Sequence, residues 1–169
     1  FKGVEDLGGG LKAGFQLESG FDSSTGTGTG WTHPTTGMSF ARQSEVNLSG
    51  GFGMIRLGNF IPESYYATAD YVSMHNHDTG TSADAFYQDP VWFTSGRSTK
   101  NKVGYRPPTT GGLVIDAAVS LHEKATGVNK NGYDLAANYN LGALALGAGY
   151  SQVDDDKQLG LRALYTFGQ

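Results

Sequence analysis

Arg56, Lys102 and Arg106 are cations set among alternating apolar residues. Arg56 lies between Ile55 and Leu57, and Lys102 and Arg106 share the parity opposite to Val103 and Tyr105. In extended chain, that parity turns each cation away from its apolar neighbours. Fixed cations on a polar face can attract and steer charged or dipolar solutes, or they can snorkel at a rim. The polar-face reading is favoured for Arg56. Arg42 falls on the apolar parity and reads as a rim residue. The His75-Asn76-His77-Asp78 run has a ligand-like spacing for a metal. It sits in a polar connection without a supporting cluster, so solvated surface is the favoured reading. Asp154, Asp155 and Asp156 could hold a divalent cation, but a solvated hairpin tip fits better. Glu5 and Asp6 stand beside a turn, a poor scaffold for acid–base chemistry. His122 ends a strand and reads as exposed. The glycine runs GTGTG (26–30) and GAGYSQ (147–152) lack the remaining residues of a P-loop or a dinucleotide fingerprint, and there is no Gly-x-Ser-x-Gly.

Those cations need elements to hold them, and composition narrows the choice. The chain has 169 residues and a formal net charge of −4, so no general affinity for nucleic acid is expected. It has no cysteine, which excludes disulfide scaffolds, cysteine zinc sites and thiol nucleophiles. Its 26 glycines, 9 tyrosines and 9 phenylalanines, with little helical periodicity, read as all-β. Mean hydropathy is −0.34, and no run of ~18 apolar residues marks a spanning helix. A β-barrel wall, apolar on one face only, keeps its mean hydropathy low as well.

Strict alternation recurs along the chain. The odd positions of 113–121, 133–141 and 159–167 are apolar or aromatic. So are the even positions of 144–150. Their partners include Asp116, Ser120, Asp134, Asn138, Asn140 and Arg162, so each segment has one apolar and one polar face. Glycine-rich turns at 7–11, 49–53, 109–113 and 140–144 alternate with longer polar connections at about 22–39, 60–98, 123–131 and 153–157. An antiparallel meander would gather the tight turns at one end and the long loops at the other. The connection at 60–98 mixes eight aromatics with Glu63, Asp70 and other acids, a composition suited to packing rather than disorder.

Periodicity alone fits two architectures. A soluble sandwich turns its apolar faces inward; a membrane barrel turns them to lipid. Strands of about 9–11 residues suit a bilayer. Aromatics near strand ends (Phe21, Phe40, Phe60, Tyr133, Tyr150, Phe167) suit an interfacial girdle. The competing reading is a soluble extracellular β-sandwich that binds carbohydrate through loop aromatics. A barrel enzyme would need a Ser/His or similar constellation, and none is visible.

FKGVEDLGGGLKAGFQLESGF (1–21), FARQSEVNLSGGFGMIRLGNF (40–60) and GRSTKNKVGYRPPTTGGLVIDAAVSL (96–121) resemble the general diffusion porins of Gram-negative outer membranes, nearest to the β-proteobacterial and neisserial branch. The resemblance implies an antiparallel transmembrane β-barrel of 16 strands, about nine of them here, approximately the second to the tenth. Residues 1–169 would then be part of one barrel domain within a chain about twice as long, since an open sheet leaves unpaired edges in lipid. It implies a homotrimer in the bacterial outer membrane, in contact with lipid and lipopolysaccharide, passing small ions and hydrophilic solutes without catalysis or cofactor. The loop at about 60–98 would fold inward as the constriction. Arg97 matches a wall position of the family, with Arg56, Lys102 and Arg106 on the lumen face and Glu63 and Asp70 on the loop. Gly58-Asn59 departs from the family's usual Gly-Arg, so Asn59 marks a lost cation or one that Arg56 replaces.

Overall fold

A computed structural model describes residues 1–29, 40, 42–69, 101–122 and 130–168. The elements in chain order are β1 (Lys2–Gly8), β2 (Leu11–Glu18), β3 (Gly20–Phe21), β4 (Gly28–Thr29), β5 (Gln43–Gly50), β6 (Gly53–Asn59), α1 (Glu63–Thr68), β7 (Lys102–Arg106), β8 (Leu113–Ser120), β9 (Gly132–Leu141), β10 (Leu144–Val153) and β11 (Asp156–Tyr165). Nine strands form one sheet in the order β1-β2-β5-β6-β7-β8-β9-β10-β11, with antiparallel pairing throughout. Each long strand pairs with the next, so the sheet is an up-and-down meander. β3 and β4 make a separate small hairpin.

Strand length departs from the expected 9–11 residues. β9, β10 and β11 have 10 residues, whereas β7 has 5. Pro107 and Pro108 follow β7 directly, and neither has an N–H to continue the ladder. The connection expected at 153–157 is also shorter than anticipated. Val153 pairs with Asp156, which leaves a two-residue turn, and Asp154 supplies the positive φ of 56°. Aspartate tolerates that conformation better than most side chains. The β1–β2 turn runs through Gly9 and Gly10 at φ of 62° and 82°, the left-handed pair that a tight hairpin needs.

Burial is inverted relative to a water-soluble fold. Leu159, Leu161 and Val46 are 70%, 76% and 55% exposed, whereas Lys102, Glu45, Asp116 and Ser120 are buried. Alternation explains it. Val46 and Leu48 point to one side of β5, and Gln43 and Glu45 to the other. Among the described residues nothing covers the apolar face. The polar face is covered in part by residues 60–69, with α1 packed on β9, β10 and β11.

Candidate functional site

Chain direction builds the site. At Asn59 the strand β6 ends, opposite Ser44 of β5. Phe60, Ile61 and Pro62 then turn onto the polar face, and α1 follows at once. Phe60 is therefore buried, not part of an outward aromatic girdle. Its ring lies over Gly104, where a Cβ would come within 3.0 Å of Cζ. The Arg56 guanidinium stands 4.1 Å from the ring centroid and the Lys102 ammonium 4.8 Å, both within cation–π range. Lys102 Nζ also donates to the Phe60 carbonyl at 2.6 Å.

Charge pairing continues from there. Arg56 donates through Nε (3.0 Å) and Nη2 (2.5 Å) to Glu45 Oε2, and through Nη1 to Glu63 Oε1. Arg106 donates through Nε to Asp116 Oδ1 at 2.7 Å and stands 3.4 Å from Glu63 Oε2. Two cations thus meet three carboxylates. At the next residue, Asp134 accepts the Ser64 N–H at 3.2 Å and its hydroxyl. Pro62 offers α1 no side-chain cap. A wall carboxylate from β9 therefore satisfies a first-turn N–H that the segment leaves open. Thr68 Oγ1 donates to the Ser64 carbonyl at 2.7 Å, which ties the helix to itself.

The wall is bare where α1 lies on it. A Cβ at Gly149 would fall 2.7 Å from the Ser64 oxygen, one at Gly147 2.0 Å from the Ala67 oxygen, and one at Gly160 2.6 Å from Thr68 Oγ1. Ala136 and Gly149 are register partners, as are Gly149 and Gly160, so three adjacent strands present a shallow floor. Only side chains this small admit a helix backbone so close.

Arg56, Lys102, Arg106, Glu63 and Asn59 lie together where the segment leaves the wall, and the three cations take the polar-face parity read for them. Asp70, Arg97 and His75 to Asp78 lie outside the described residues. Arg42, expected as a rim residue, lies just before β5 and pairs with Glu18 at the end of β2. Strand parity therefore does not bind its side chain. His122 is half-buried rather than exposed, its N–H donating to Asn131 Oδ1 at 3.2 Å. Asp6 accepts the Gly8 N–H at 2.8 Å, so it serves the turn. The partners that sequence reading did not single out are Glu45, Asp116, Asp134, Ser64 and Phe60. Asp116 and Asp134 carried the parity signal, but their partners depend on register and on the path of α1.

Burial lifts the Glu63 carboxyl above the ordinary glutamate value of 4.5, against the opposing pull of Arg56 and Arg106. Ionising Glu63 therefore opposes folding. Its stabilising contribution is present at low pH and is lost as pH rises through its folded pKa. In acid, Glu63 takes up its proton before an ordinary glutamate does. In bilayers, anion preference should rise as pH falls through the folded pKa of Glu63, because a negative charge on the polar face is lost. Glu63→Gln should remove the Glu63 part of that step. An identical pH profile in the variant would show that other groups carry the change.

An antiparallel wall, apolar on one face and charged on the other, with a helix laid on its charged face, fits part of a transmembrane β-barrel. The chain belongs to the Gram-negative porin family, whose model matches residues 1–169. It is 30% identical over 193 aligned positions to Outer membrane porin protein 32 of Delftia acidovorans, covering 99% of this chain and 50% of that protein. It is 30% identical over 142 positions to Major outer membrane protein P.IB of Neisseria meningitidis serogroup B, covering 84% and 38%. A stretch of 59 positions is 54% identical to the gonococcal P.IB protein, covering 35% of this chain and 14% of that protein. The chain spans about half the length of the first of these relatives and less of the others. The family is one of outer-membrane channels rather than enzymes, and the soluble carbohydrate-binding sandwich finds no support.

Proposed function

We propose that this chain forms part of the wall and the narrowing segment of a water-filled channel for small hydrophilic solutes and ions. The observation that carries this reading is the inverted burial, with aliphatic side chains outside and paired charges inside. Lipid would hold the outer face, and the closed ladder of a complete barrel would satisfy the backbone. The strands would be approximately the second to the tenth of a 16-stranded barrel, and the segment at about 60–98 its inward loop. Arg56, Lys102, Arg106, Glu63, Asn59, Asp70 and Arg97 would line or brace the constriction. The pairing seen for the first four favours bracing: the wall cations hold the loop in place as well as charging the lumen. Assembly as a homotrimer, in contact with lipid and lipopolysaccharide, belongs to the same reading.

Planar-bilayer conductance of the full-length protein tests it. Stepwise openings, with closures in threes at high voltage, are the expected result. A folded, detergent-extracted sample that adds no conductance would overturn the channel reading.

A further inference from the structure

Arg162 differs from the three cations beside the start of α1. Arg56 and Arg106 each meet two carboxylates, and Lys102 is buried against Phe60. Among the described residues no carboxylate pairs with Arg162. Its one hydrogen bond is from Nη2 to Asn138 Oδ1 at 3.1 Å, and its Nε has no acceptor. Asn138 is a neutral amide, so no partner among the described residues compensates the positive charge.

Register explains how the side chain is held. Gly147 is the partner of both Arg162 and Asn138. The guanidinium crosses the intervening strand because that strand has no side chain there; a Cβ on Gly147 would lie 3.1 Å from Nε. Arg162 is thus laid flat against the wall, half-buried, beside the end of α1 and outside the paired network.

We propose that Arg162 is a selectivity-determining residue, a wall cation with no carboxylate partner among the described residues, which draws small anions along the β9–β11 side of the lumen. The proposal rests on the channel reading. Fixed charge at short range biases which ion enters, and salt screens that bias.

The test uses the full-length protein in planar bilayers under a potassium chloride gradient, with Arg162→Gln and Arg162→Lys beside the native protein. Arg162→Gln should lower the chloride-to-potassium permeability ratio roughly two- to fivefold at low salt. Arg162→Lys should keep most of it. The difference should shrink near 1 M salt, where the Debye length is ~3 Å. An unchanged ratio in a conducting Arg162→Gln channel would overturn the proposal while leaving the channel reading intact. A loss shared equally by Arg162→Lys would assign the residue a packing role instead and also overturn it. A folded native protein that does not conduct would overturn both readings. Heat-modifiable electrophoretic mobility checks that each variant is folded.

Discussion

Replacing Arg56 by methionine should cost about 3–5 kcal/mol of stability, the usual penalty for removing one partner of a buried ion pair. The Arg56 and Glu45 side chains are only 10% and 6% exposed, and Glu63 is 17% exposed. Among the described residues, removal of the guanidinium leaves Glu45 without its ion-pair partner and Glu63 paired with Arg106. It also takes away a cation above the Phe60 ring. Thermal unfolding of the full-length protein in detergent measures the effect. The triple variant Arg56→Met, Glu45→Gln, Glu63→Gln should recover much of the loss, because it leaves no stranded charge. A loss below about 1 kcal/mol would place this pair among weak, hydrated surface bridges.

A second large effect is expected at Gly149. Valine there would press its Cβ against the Ser64 backbone, with the oxygen at 2.7 Å and Cα at 2.9 Å. Backbone cannot rotate away as a side chain can, so α1 must lift. Overpacking of this kind costs about 1–3 kcal/mol, and here it falls on the seating of one segment. Single-channel conductance should rise, because residues 60–69 would no longer lie against the wall. Ala148→Val, on the apolar side of the same strand, is the matched control and should change stability by less than about 0.5 kcal/mol. Unaltered conductance in a folded Gly149→Val channel would mean that α1 does not narrow the pore. Gly149 suits this test better than Gly147, which also accommodates Arg162.

Much of the fold was legible because alternation is a direct consequence of strand geometry. The parities of 113–121, 133–141 and 144–150 agree with β8, β9 and β10, and the glycine turns fell where hairpins close. Lengths were less legible. The Pro107-Pro108 stop and the two-residue Asp154–Asp155 turn act through single backbone positions that a periodicity count passes over. The site was half legible. Parity put Arg56, Lys102 and Arg106 on the polar face, and composition suggested that the connection after Phe60 packs. Parity says nothing about neighbours across strands, so the pairing of Arg56 with Glu45 was hidden. The inward turn after Asn59 hid the fate of Phe60, an aromatic at a strand end that looks like any interfacial one. The Gly147–Gly149–Gly160 floor was hidden for a related reason. Glycines in separate strands become one surface only through register.

The Ser64–Asp134 contact joins residues 70 positions apart. The β10–β11 hairpin closes over two residues. Local pairings of that kind form early, whereas contacts across long loops wait for their partners to be in place. The floor beneath α1 is made by three strands, all later in the chain than the helix itself. The helix therefore has nowhere to settle until those hairpins are built. On this order of events the wall is raised first as a wide trough, and its narrowing is a finishing step of assembly.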